Sequence, residues 1–149
     1  MNLEIVPLLP AHIDMMEYRK SDRPALDYFH ELLHHPEDKY RAWAILNEEG
    51  NPVALGGFAF PWPKVADAFM TFSQEVENNH ELAMAIFWRM KKIAKMAFDQ
   101  YDLHRIEATA PYDKTDRARW LKNIGFKQEG CLKKYGPDGQ DYVMFGMVK

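Results

Sequence analysis

The sequence predicts a mixed α/β fold in one domain over residues 1–149. Three observations predict it. Short apolar runs bounded by Pro, Gly and Asn alternate with segments of helical period. One of these, from Asn78 or Asn79 to about Tyr101, is long enough to cover a sheet and puts Leu82, Ile86, Met90, Ile93 and Ala97 on one face. The stretch from Leu103 to Phe145 then reads as strand, helix, a Gly-Phe helix stop and a closing hairpin.

Taken in order, Leu3 to Leu8 is a short apolar strand ended by Pro10. Ala11 to Lys20 reads as a helix with Ile13 and Met16 on one face. Pro24 suits the first position of a second helix, with Asp22 as its cap, and that helix ends by Pro36. Tyr40 to Leu46 is a strand, Asn47 to Pro52 a polar turn, and Val53 to Phe60 the returning arm. Pro61-Trp62-Pro63 reads as a loop, and Ala66 to Val76 as a fourth strand. After the long helix, Leu103 to Ala110 is a fifth strand and Lys114 to Ile124 a helix. Gly125 fits the left-handed position just past that helix, and Phe126 can pack back on its last turn. Lys127 to Tyr135 and Asp141 to Val148 pair around Pro137-Asp138-Gly139, a segment with turn chemistry. The order is β-α-α-β-β-β-α-β-α-β-β. Strands four and five flank a helix and are expected to be parallel; the rest is mainly antiparallel.

Composition narrows the function. The net charge of -3 gives no basic footprint overall, so nucleic acid is not favoured as the main ligand. No apolar run is long enough to span a bilayer, so no membrane partner is expected. Met1 to Pro10 lacks the basic start of a signal peptide. Cys131 is the single cysteine, which forbids an internal disulfide and fits a reducing, cytoplasmic setting.

Three short series carry a resemblance. Phe98-Asp99-Gln100-Tyr101-Asp102 leads into Leu103-His104-Arg105-Ile106-Glu107-Ala108. Gly125-Phe126 is followed by Glu129-Gly130. The hairpin carries Gly139-Gln140-Asp141-Tyr142. In this order they resemble the C-terminal half of the GNAT superfamily of acyl-CoA-dependent N-acyltransferases, and most closely the branch of ribosomal-protein N-terminal acetyltransferases. A weaker likeness is to short phage-encoded GNAT-like proteins. The resemblance covers about a third of the chain, while the first hundred residues match in element order only.

The resemblance implies a mostly antiparallel sheet whose parallel fourth and fifth strands splay apart, flanked by helices, to admit acetyl-CoA. It also implies acetyl transfer to an amine, on a small molecule, a protein N-terminus or a lysine; the oligomeric state stays open, a homodimer included. In the family, a Gln/Arg-x-x-Gly-x-Gly/Ala loop opens the long helix and holds the pyrophosphate by backbone amides. Glu81-Leu82-Ala83-Met84-Ala85-Ile86 falls on that pattern, with neither glycine and with Glu81 at the Gln/Arg position. With Glu75 and Glu77 nearby, three carboxylates would each oppose a diphosphate by roughly 1 kcal/mol at contact distance in water. Asn78 and Glu81 also have capping-box spacing, which would satisfy the helix start internally. The implied cofactor contacts are Val76, the amides of Ala83, Met84, Ala85 and Ile86, and the basic residues Lys114 and Arg117, with Arg119 and Lys122 extending the basic face. A solvated helical face is the other reading of that run. Glu75, at the end of strand four, is the implied base, and Tyr112 or Tyr135 could substitute for the family's acid, since Leu121 stands at the usual Tyr position. The missing glycines equally fit a GNAT fold kept for binding without catalysis.

One motif competes. His30-Glu31-Leu32-Leu33-His34 spells H-E-x-x-H, which on one helix presents two zinc ligands and a base, as in a zinc hydrolase. Pro36 follows closely, Glu37 and Tyr40 break the extended pattern, and a third ligand would have to be His12, His80 or a carboxylate. No metal is therefore assigned. Trp88 and Trp120 are expected in the core, and Trp62 in a loop where it could line a pocket.

Overall fold

The computed structural model describes residues 2–149. Its elements run β1 (Glu4–Pro7), α1 (Pro10–Met15), α2 (Pro24–Leu32), β2 (Tyr40–Leu46), β3 (Pro52–Trp62), β4 (Val65–Phe72), α3 (Gln74–Glu77), α4 (His80–Gln100), β5 (Arg105–Pro111), α5 (Thr115–Ile124), β6 (Lys127–Leu132) and β7 (Tyr142–Val148). The strands form one seven-stranded sheet in the order β1-β2-β3-β4-β5-β7-β6. β4 and β5 are parallel and pair from Val65↔Arg105 to Asp67↔Glu107. The β1–β2, β2–β3, β5–β7 and β6–β7 pairs are antiparallel. The chain divides into two compact units, one of residues up to Ala59 with Phe69–Ile86, the other of Phe60–Ala68 with Phe87–Lys149.

The first unit buries Ile13, Phe29, Ala44 and Leu55, with Phe29 and Phe69 in edge contact at 5.5 Å between ring centroids. α1 stops at Met15, short of the expected Lys20, because the chain turns extended at Met16 and Tyr18 bridges to Ser73. Asp22 does not cap α2. Its carboxylate accepts from Arg19 Nε at 3.0 Å, Arg19 Nη2 at 2.7 Å and Thr71 Oγ1 at 3.0 Å, so it is already spent on tertiary contacts. β3 runs through Pro61 to Trp62, where a loop is expected. β2 pairs with β3 only as far as Ala59, so Pro61 has no β2 partner asking for its missing N–H.

The second unit alternates along β5: Ile106, Ala108 and Ala110 are buried, while the side chains between them are half-exposed. α5 ends as expected. Gly125 has φ +132°, and the Phe126 N–H donates to the Leu121 carbonyl at 3.0 Å, the reach-back of a Schellman-type stop. The β6–β7 turn closes through Gly139 at φ +81°, its N–H on the Gly136 carbonyl at 2.9 Å. Trp88 departs from its expected core position and is exposed, whereas Trp120 is half-buried with its ring 5.6 Å from that of Phe87. No helix among the described residues is long and apolar enough to cross a membrane.

Candidate functional site

In the first unit, β4 stops at Phe72 rather than Val76. The Ser73 N–H donates to the Val53 carbonyl at 2.9 Å and the Gln74 N–H to the Glu17 carbonyl at 2.8 Å, which turns the chain out of the strand. One helical turn, α3, follows. Glu75 and Val76 therefore stand on α3 instead of the strand end, Glu75 exposed and Val76 half-buried. Glu77 is also exposed and lies 3.8 Å from Arg19 Nε, which offsets part of its charge. The Ser73 hydroxyl is buried and has no hydrogen-bond partner among the described residues.

α4 opens on Asn79. Its Oδ1 accepts the Leu82 N–H at 3.0 Å, the bond of an N-cap side chain. The cap is thus Asn79 with Leu82, and the expected Asn78–Glu81 box gives way to it. The Ala83 N–H donates to the Asn79 carbonyl at 3.0 Å, so Ala83 is already inside the helical ladder, and Met84, Ala85 and Ile86 follow it within α4. The four positions expected to offer amides to a diphosphate begin one turn too deep. Helix geometry leaves the amides of His80 and Glu81 without a carbonyl four residues back. Glu81, exposed in that first turn, brings a negative charge to the positive end of the helix dipole.

In the second unit, Tyr112 follows β5 and is exposed, its N–H on the Asp141 carbonyl at 2.9 Å. Lys114 is the N-cap position of α5 with no side-chain cap bond, and it and Arg117 are half-buried. Arg119 and Lys122 are exposed. The basic run therefore splits between two sides of α5.

A carboxylate pair escapes the sequence reading altogether. Asp67 on β4 stands opposite Glu107 on β5, so both side chains point to the same face of the sheet. Burial, and then the charge of Glu107, push the Asp67 carboxyl up to about 6. Tyr135 is raised too, by burial first and then by the charges of Asp67 and Glu107, and its ring lies 5.2 Å from that of Tyr142. Glu107 is held by Arg105 Nε at 3.2 Å, and Arg105 also makes a two-pronged pair with Glu129, at 2.6 and 3.0 Å. A carboxylate that titrates near neutrality can accept a proton from an ammonium group.

The H-E-x-x-H segment loses its helical premise. α2 ends at Leu32, so His34 lies beyond the helix that should align it with His30. His30 Nε2 is 2.8 Å from Asp14 Oδ1, and His12 Nδ1 accepts the Leu9 N–H at 3.1 Å. Among the described residues no three His, Cys, Asp or Glu side chains stand together as a metal site.

The fold is that of the GNAT N-acetyltransferases: a seven-stranded, mostly antiparallel sheet with a parallel β4–β5 pair. Solved structures share it across nearly the whole chain. One is an acetyltransferase by provisional assignment, 19% identical, TM-score 0.78, covering 98% of this chain and 85% of its own. Another is provisionally assigned as a phosphinothricin N-acetyltransferase, 14% identical, TM-score 0.77, covering 99% and 98%. A third is a chimera of the spermidine N-acetyltransferase SpeG from Vibrio cholerae with hSSAT, 14% identical, TM-score 0.71, covering 99% and 96%. No protein-family model matches the chain, and no curated protein does.

Proposed function

We propose that this protein is an N-acetyltransferase that moves an acetyl group from acetyl-CoA to an amine. The observation that carries the reading is the fold shared with acetyltransferases over 98–99% of the chain. The start of α4 keeps two things an anion needs, the His80 and Glu81 amides and the positive end of the dipole. It lacks the two glycines and the Gln or Arg that the family supplies, so binding of the donor diphosphate is expected to be weak for the family. The sequence pattern assigns the donor to Val76 and Ala83–Ile86; because Ala83 already lies in the helical ladder, the diphosphate falls in this reading to the amides of His80 and Glu81, with Lys114 and Arg117 proposed as further phosphate contacts.

In the transfer, the amine nitrogen attacks the thioester carbonyl, the C–N bond forms, the C–S bond breaks, and CoA leaves as the thiol. The attacking amine must first lose a proton, which a carboxylate can take. Glu75 is one candidate for that base. Asp67 is the better match by chemistry, because a carboxyl raised to about 6 holds a proton more readily than a fully solvated one. Tyr112 remains the candidate acid for the leaving sulfur. The proposal names the acceptor only by class, an amine on a small molecule or on a protein; spermidine, the substrate in the name of the SpeG chimera, is a first compound to try.

The test is release of free CoA thiol from acetyl-CoA in the presence of a panel of polyamines, aminoglycosides and peptides. Amine-dependent release above the rate without amine supports the reading. With a responsive amine in hand, Asp67→Asn should lower kcat by about 100-fold or more if Asp67 is the base, and Glu75→Gln should do so if Glu75 is.

A second reading has its own support. A helix start capped by Asn79, carrying Glu81 and no glycine, is poorly suited to a diphosphate. In that reading the fold is kept for binding, and no acetyl donor is used.

A further inference from the structure

The charge of the chain is unevenly placed. The whole sequence carries -3, yet residues 114–134 hold seven Lys and Arg against two Asp and Glu. One of those two acids, Glu129, is engaged by Arg105. Within this basic segment lies a groove of about 400 Å³ beside α5. Tyr112, with Ala118, Arg119 and Lys122 of α5 and Gln128 of β6, lines it, and Val143 and Phe145 of β7 lie buried beneath. No acidic side chain lines it. Among the described residues the side chains of Arg119 and Lys122 have neither a hydrogen-bond nor an ion-pair partner. At about 100° per residue, Arg119 and Lys122 stand about 60° apart on α5, whereas Arg117 is on the far side, about 160° from Arg119. The groove is therefore separate from the Lys114–Arg117 side of the helix.

Two uncompensated cations beside the exposed Tyr112 ring and the Ala118 methyl, with the Gln128 amide also lining the groove, are the chemistry that holds an anion by its head and an apolar body by contact. We propose that this groove binds a small organic anion, its carboxylate or phosphate held by Arg119 and Lys122 and its apolar body against the Tyr112 ring and Ala118. Its cations, Arg119 and Lys122, are the part of the basic run that the proposed function does not place on the donor, while Tyr112, its candidate acid, is shared with the groove.

Titration calorimetry with phenyl phosphate and phenylacetate as probes tests it, with inorganic phosphate and benzylamine as controls. The expected result is saturable binding of at least one aromatic anion, at least tenfold tighter than inorganic phosphate, with no binding of benzylamine. The preferred probe tells a phosphate head from a carboxylate head. The double variant Arg119→Gln/Lys122→Gln should weaken that binding at least tenfold, while the swap Arg119→Lys/Lys122→Arg should keep it within about threefold, which separates lost charge from lost fold. Equal binding of inorganic phosphate and phenyl phosphate would reduce the groove to general surface charge and overturn the proposal. No binding of either aromatic anion would overturn it as well. So would displacement of the probe by acetyl-CoA, which would assign the groove to the donor, whatever the outcome of the thiol-release assay.

Discussion

Asp67 is a half-buried carboxylate whose nearest charged neighbour across the strand pair, Glu107, has its own sign. Its folded-state pKa lies above the ordinary carboxylate value, so the native state holds the proton more tightly than the unfolded chain does. Between about pH 4 and pH 6 the native state binds more protons, and stability falls as pH rises through that window. Above it the ionised group costs about 1–3 kcal/mol. Asp67→Asn should therefore raise the melting temperature at pH 8 and leave it nearly unchanged at pH 4, as read by thermal denaturation across pH. An equal effect at both values would contradict the assignment of the strained charge to Asp67. Nothing in the one-dimensional sequence marks this residue, because its significance comes from the register that sets it beside Glu107. Glu81 is different: its place on the family's phosphate pattern is legible, and so is its sign. Removing the charge by Glu81→Gln should tighten acetyl-CoA binding about fivefold, or about 1 kcal/mol. Unchanged affinity would mean that the carboxylate does not face the donor.

At the scale of elements, helix chemistry was the most legible part of the chain. The period of Leu82, Ile86 and Ala97 marks buried positions of α4, and Gly125 ends α5 in the conformation its sequence position suggests. Helix starts and strand ends are less legible, for a common reason: they are decided by partners far away in sequence. β4 ends where Ser73 and Gln74 donate to Val53 and Glu17. Asp22 leaves the start of α2 because Arg19 and Thr71 claim it. The α4 cap is a local matter of which of two asparagines is used, and it is Asn79. Asn79→Ala should cost about 1 kcal/mol of stability, seen as a lower melting temperature. Asn78→Ala should cost little, and the reverse ranking would place the cap on Asn78. Ending β4 early moves Glu75 and Val76 onto α3, so their sequence-based site roles rested on a strand that does not reach them.

At the scale of the molecule, element order was enough to anticipate the architecture, including the parallel pair of β4 and β5 around α4. Connection rules leave few alternatives once strands, helices and hairpins are placed. The candidate site was only partly legible. Residue types at the family's positions are visible in the sequence, but the depth of Ala83 inside α4 and the carboxylate pair on β4 and β5 are not. Fold likeness at 14–19% identity speaks to architecture, and the chemistry has to be tested at the site itself. Isothermal titration of the purified protein with acetyl-CoA is the most direct test. The acetyltransferase account predicts saturable binding with a Kd from micromolar, roughly -8 kcal/mol, to some tens of micromolar. No heat of binding and no thermal shift at millimolar acetyl-CoA would contradict it, and would leave the fold as a scaffold for binding something other than an acyl donor.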